Sequence, residues 1–235
     1  MRYNVDELLR DNPYPGRGII IGASEDGCRA VMLYFIMGRS VNSRNRVFER
    51  TRDGIRTKAF DAALLTDPSL VIYHPVRAYG GMTIVTNGDQ TDTICDHLLN
   101  GKDFHEALLT REFEPDAPIY TPRISGIIEQ NGCYSLSILK TADGSPACAL
   151  RCFYEYSSPI PGLGHFISVY KTDGSPPPSF EGDPVPVNIR VGDGLESFAR
   201  SVWEALNTEN KVSLYARETD VATGASNDLI INKYA

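Results

Sequence analysis

Residues Ile84 to His97, IVTNGDQTDTICDH, change character in the middle, and the fold turns on how that change is read. Ile84 and Val85 are β-branched and end a strand, Asn87-Gly88 is a strong turn dipeptide, and Asp89 to Leu99 reads as a helix. A strand, a tight turn and a helix start in succession bring free backbone N–H groups and the positive end of a helix dipole to one point. Such a point suits an anion or a developing negative charge. The same residues also serve as a plain turn with Asp89, Thr91 and Asp92 as caps, and spacing alone leaves both readings open.

The chain of 235 residues is long enough for one sizeable core, so a single domain over residues 1–235 is expected. Hydrophobic residues at 42% and charged residues at 23% are ordinary globular usage, which excludes fibrous and disordered classes. No apolar run approaches the roughly 20 residues that span a bilayer, and MRYNVDELLRDNPYPG at the N-terminus has no apolar signal core. A soluble, cytoplasmic protein without a membrane partner is expected. The formal net charge of −7 opposes general nucleic-acid binding. The five cysteines lack CxxC spacing, and the four histidines (His74, His97, His105, His165) form no HxH or HExxH pattern, so neither metal nor cofactor is expected. Cys28, with no paired histidine, reads as a small packing residue.

Upstream, Arg17 to Ser24 and Cys28 to Met37 are rich in strand formers around Glu25-Asp26-Gly27, the pattern of a β-hairpin. The stretch that follows carries Arg39, Arg44, Arg46, Arg50, Arg52 and Arg56 within an otherwise acidic chain. Arginine's planar fork suits a phosphate or carboxylate; a solvated loop balanced by Glu49 and Asp53 is the alternative. Strands are expected over Ser69 to Tyr79, with Tyr73 on it and a break at Pro75, and over Met82 to Thr86. Downstream, a second helix begins at Asp103 with the pattern of a capping box. Glu112, Glu114 and Asp116 then alternate in a loop broken by Pro115, Pro118 and Pro122, which either supplies acid–base groups or is a solvated connector. The rest reads as strands, with a surface loop over Asp173 to Pro186 and one amphipathic helix over Gly194 to Leu206. Many hairpins with helices inserted in groups point to an α+β protein with antiparallel sheets.

Taken together, SRNR at Ser43 to Arg46, Tyr73, VTNGDQTDTICD at Val85 to Asp96, EFEPD at Glu112 to Asp116 and TPRI at Thr121 to Ile124 resemble the inosine monophosphate (IMP) cyclohydrolase family of the archaeal type. The resemblance runs over nearly the whole chain and is strongest from Arg39 to Ile128. It implies a four-layer αββα sandwich of antiparallel sheets, as in the N-terminal-nucleophile hydrolases. No Cys, Ser or Thr precedes the first strand, so self-processing to a free nucleophile is not expected and a noncovalent mechanism is.

The implied reaction closes the purine ring of 5-formamidoimidazole-4-carboxamide ribonucleotide to give IMP and water in purine biosynthesis. It needs positioning, an anion-stabilising donor and a proton relay, with a purine ribonucleotide as partner and self-association left open. The matched positions are Tyr73, Asn87, Glu114 and Arg46 for catalysis, with Arg39, Arg44, Arg46, Gly88, Thr91, Asp92, Glu112 and Arg123 for substrate binding. The roles expected are Arg44 and Arg46 on phosphate or carboxamide, Tyr73 on the formyl oxygen, Asn87 and the turn amides on the oxyanion, Glu114 as proton carrier, and Arg123 as orienter of the carboxylates or on phosphate. Two other readings stay open: an amide hydrolase of the same fold with Cys28 as nucleophile, and a nucleotide-binding protein without chemistry.

Overall fold

The computed structural model describes residues 1–65, 68 and 70–234. A short helix, α1 (Val5–Arg10), precedes the expected hairpin, β1 (Arg17–Ala23) and β2 (Arg29–Met37), whose register runs from Arg17 opposite Ile36 to Ala23 opposite Ala30. Both strands are apolar on successive residues, which only makes sense if both of their faces are covered.

The arginine-rich stretch departs from the loop expected of it. It forms a helical turn, α2 (Val41–Arg44), and a second hairpin, β3 (Arg46–Arg50) and β4 (Gly54–Ala59). Phe48, Ile55 and Thr57 are buried at alternate positions between charged neighbours, so a strand period lies beneath the density of charge. The strand expected from Ser69 also departs. Ser69 lies outside the described residues, and the strand β5 (Val76–Tyr79) begins only after Pro75, which lacks the N–H a ladder needs. Tyr73 is therefore not on a strand. It is tethered beside β4, its N–H donating to Thr57 Oγ1 at 2.9 Å and its carbonyl accepting the Thr57 N–H at 2.9 Å.

The strand–turn–helix stretch is present as β6 (Met82–Thr86) and α3 (Gln90–Leu99), followed by α4 (Phe104–Leu109) with a reciprocal Asp103–Glu106 capping box. Next come β7 (Arg123–Ile128), β8 (Tyr134–Ala142), β9 (Ser145–Tyr156) and β10 (Leu163–Ser168). The surface loop expected to run to Pro186 stops earlier, because Val185 and Pro186 pair with Phe166 and His165 in the edge strand β11 (Val185–Asn188). The chain closes with α5 (Leu195–Ala205), β12 (Lys211–Asp220) and β13 (Ser226–Asn232).

Every strand pairing is antiparallel, in a six-stranded sheet β11-β10-β1-β2-β12-β13 and a seven-stranded sheet β3-β4-β5-β6-β7-β8-β9. The sheets share one apolar core, with β1 against β7 and β12 against β3. On the first sheet, α5 packs over β12 and against α1, burying Leu195, Phe198, Ala199, Val202 and Ala205 at helical spacing. On the second, α3 covers β5 and β6, and Ile94, Cys95, Phe104 and Leu108 form a separate core with Ile84, Ile127 and Leu139. No helix among the described residues is long and apolar enough to cross a membrane.

Gly126 of β7 permits a close approach of the sheets. A Cβ there would lie 2.6 Å from Ile21 Cδ1, with Val85 at 3.1 Å and Leu136 at 3.2 Å behind it. Gly126→Val puts a branched side chain into this closed space and should destabilise the protein by about 1–3 kcal/mol through forced rotamers. Denaturant unfolding is the check, and an unchanged midpoint would show that the sheets can part without loss.

Candidate active site

Four segments converge at one end of the sandwich. Arg17, Arg46 and Arg123 are the first residues of β1, β3 and β7, and the loop from α4 to β7 brings Glu114 up to them. Between them lies a cleft of about 270 Å³, lined among others by Arg17, Arg39, Arg46, Glu114, Asp116 and Tyr170. The loop is held from behind: Glu114 N–H donates to the Thr121 carbonyl at 2.8 Å, and Thr121 Oγ1 bonds Asp116 at 2.5 Å and the Tyr170 hydroxyl at 3.0 Å.

The cleft is lined by an unusual concentration of buried charge. Arg46 is 1% exposed, and among the described residues its donors reach the Ser43 carbonyl at 2.9 Å and the Met37 carbonyl at 3.3 Å. Burial lowers its pKa, helped by the like charge of Arg17. Arg17 keeps part of its surface open to the cleft while its Nε is enclosed without a partner. Burial works against its charge too, but Glu114, Tyr73, Tyr170 and Tyr34 outweigh that and hold it protonated. Glu114 is 2% exposed; burial pushes its carboxyl above the ordinary glutamate value, and the pull of Arg17 and Arg123 does not cancel it. The direct ion pairs nearby are Arg39–Asp173, Arg123–Asp89 and Arg111–Asp89; among the described residues Arg17, Arg46 and Glu114 take part in none.

Against this cluster lies a pair of phenols, Tyr34 of β2 and Tyr73, with hydroxyls 2.9 Å apart and both residues buried. Tyr34 stacks on Phe48 of β3. Burial raises the Tyr34 pKa far above the usual phenol, as do Tyr73's field and their shared bond. Tyr34 thus keeps its proton, and either hydroxyl can donate in the pair; when Tyr34 donates, the Tyr73 hydrogen is free for another acceptor.

Of the residues singled out by sequence, the fold brings Arg46, Tyr73 and Glu114 to this cluster and puts Arg39 at the rim, 4.5 Å over the Tyr14 ring. Arg123 reaches the same neighbourhood from the side. Its Nη1 donates to Asp89 Oδ1 and Gln90 Oε1, each at 2.7 Å, and a Cβ on Gly88 would meet that same nitrogen at 2.6 Å and Glu114 Oε1 at 3.6 Å.

The turn itself offers less than its sequence suggests. Asn87 Nδ2 donates to the Pro122 carbonyl at 2.9 Å, its Oδ1 accepts from Ile124 N–H at 2.8 Å, and the Asn87 and Gly88 amides donate to the Ile124 carbonyl and Thr86 Oγ1. These donors fasten α3 to β7. Four further positions stand apart from the cleft. Arg44 is bonded to the Gly38 carbonyl and Asn210, Thr91 to Thr86 Oγ1 at 2.6 Å, Asp92 to Arg77 at 3.0 Å, and Glu112 is exposed opposite Arg151 at 3.8 Å. Cys28 is exposed beyond the far end of β1 from Arg17, roughly 20 Å along the strand at about 3.3 Å per residue.

Sequence reasoning missed Arg17, Tyr34 and Tyr170. A charged residue heading an otherwise apolar strand was the available signal for Arg17; Tyr34 and Tyr170 had none, since a tyrosine in an apolar run reads as packing.

A family described as IMP cyclohydrolase-like protein matches residues 14–224 of the chain. Among curated proteins, the "IMP cyclohydrolase" of Methanosphaera stadtmanae is 29% identical over 163 residues, 67% of this chain and 74% of that protein. Those of Halobacterium salinarum and Methanococcus aeolicus are 32% and 26% identical, over 54% and 52% of this chain and 63% and 61% of their own lengths.

Because folding favours the neutral form of Glu114, its contribution is full below the ordinary value of 4.5 and is lost as pH rises through the raised value. The stability of Glu114→Gln relative to the unsubstituted protein should therefore grow as pH rises from 4.5 to the raised value and level off above it. Unfolding free energies between about pH 4 and pH 8 measure it, and a difference that shrinks with pH would place the charged carboxylate as the favoured form.

Proposed function

The chain belongs to the IMP cyclohydrolase-like family, and from that premise we propose that it closes the purine ring of 5-formamidoimidazole-4-carboxamide ribonucleotide, forming IMP and water. We further read the fold as a single-domain, four-layer αββα sandwich of the N-terminal-nucleophile hydrolase kind, acting in the cytoplasm. The observation that carries the reaction is the convergence of matched positions far apart in sequence: Arg46 and Glu114 line one cleft, and Tyr73 lies buried beside Arg46.

The carboxamide nitrogen is a weak nucleophile, so most of the task is to press it against the formyl carbon and exclude water. Arg46, aimed by two backbone carbonyls, binds an oxygen of the substrate, and Arg39 at the open rim takes the 5′-phosphate. The Tyr73 hydroxyl, with Tyr34 as the donor of their shared bond in the bound state, donates to the formyl oxygen. Glu114, its pKa raised by burial, takes a proton from the attacking nitrogen and returns it to the departing hydroxyl. Arg123 and Asn87 act at one remove, fixing the turn beside Glu114.

Turnover of the formamido ribonucleotide, followed by its ultraviolet change, tests this. In Tyr73→Phe the rate constant should fall about a hundredfold, as for loss of one oxyanion donor, with KM little changed. The same change strands the buried Tyr34 hydroxyl and should cost about 1–3 kcal/mol of stability, which Tyr34→Phe in the same chain should largely restore without restoring turnover. Arg46→Gln should weaken substrate binding about tenfold or more. Full activity in Tyr73→Phe would return Tyr73 to the role of a packing residue.

A further inference from the structure

We propose that Arg17, which no motif of the sequence marks, is a catalytic residue whose guanidinium donates to the formyl oxygen as that oxygen gains negative charge. This rests on the cyclohydrolase reading. Arg46 has donors committed to two backbone carbonyls, and Arg123 is committed to Asp89 and Gln90. Arg17 alone of the three has an enclosed donor, Nε, that finds no acceptor among the described residues while its side chain lines the cleft. A preorganised, partly dehydrated donor without an acceptor is what a charge that exists only in the transition state calls for.

Its surroundings identify the charge. Arg17 lines the cleft with Glu114 and Tyr170, and Tyr73 and Tyr34 lie near it, whereas Arg39 is exposed at the rim. The 5′-phosphate, charged at all times and best left partly hydrated, fits that rim. The deep position fits an oxygen that is neutral in the substrate and charged only briefly.

In the step itself, the carboxamide nitrogen's lone pair forms the bond to the formyl carbon, and the carbonyl π pair moves onto oxygen, where Arg17 and Tyr73 donate. The nitrogen's proton passes to Glu114 and on to that oxygen. The oxygen then leaves as water with its bonding pair and one further proton, released by the nitrogen that bore the formyl group as its double bond to carbon forms. No co-reactant is needed.

The product therefore lacks the atom that Arg17 touches, and this separates the proposal from a structural role. In Arg17→Ala, or in Arg17→Lys if the alanine variant does not fold, turnover should drop roughly a hundredfold or more, while IMP affinity measured by calorimetry and KM change only a few-fold. Added ethylguanidinium should recover part of the lost turnover in the alanine variant. Wild-type turnover in a folded Arg17 variant, or a loss of IMP affinity equal to the loss of turnover, would overturn the assignment. An unsubstituted protein that binds IMP but leaves the formamido ribonucleotide unchanged would instead bring down the cyclohydrolase reading, and this proposal with it.

Discussion

Two guanidiniums, Arg17 and Arg46, are held close enough at one end of the sandwich for each to feel the other's charge, with no direct carboxylate partner among the described residues. Burying like charges together opposes folding, and it persists only where the surrounding structure over-determines it. That surrounding structure is the double-sheet core. Both arginines head strands whose following residues are locked into it, Ile19 to Ile21 after Arg17 and Phe48 after Arg46, so neither can swing out to water without unpairing a strand. Glu114 and the Tyr34–Tyr73 pair then complete the cluster, and burial raises the pKa of both Glu114 and Tyr34.

This constraint explains why buried charge collects at the strand starts and not at the Asn87-Gly88 turn. The turn's donors are satisfied by the Pro122 and Ile124 carbonyls and by Thr86, which makes it a fastening for α3. Through Arg123 and Gly88 it also limits how far Glu114 can move. In the proposed reaction the rigid turn and the unsatisfied Arg17 Nε divide the work: the first positions, the second binds what the reaction creates.

Much of the fold was legible because hydrophobic period and turn chemistry are local. The β1–β2 hairpin, the α3 start and the Asp103 cap follow from neighbouring residues. The β3–β4 hairpin was hidden, since its inward residues are few and its arginines dominate the composition. The cleft was legible only in part. Glu114 stood out as a carboxylate in a proline-broken loop, and Tyr73 through family resemblance. Tyr34 could not be found, because what distinguishes it is a hydroxyl contact across 39 positions of sequence. The commitment of Asn87 to Pro122 and Ile124 was likewise invisible from the turn alone.

The central claim is that the ribonucleotide lies in this cleft with its reacting end against the two phenols. Nuclear magnetic resonance of protein carrying tyrosine isotopically labelled at Cζ reads this directly. On titration with IMP, the Tyr73 signal, assigned through Tyr73→Phe, should shift saturably together with that of Tyr34. The signals of Tyr134 and Tyr156, stacked at the other end of the sandwich, should stay in place. Saturable binding of IMP that leaves Tyr34 and Tyr73 unmoved would put the nucleotide elsewhere and contradict the assignment.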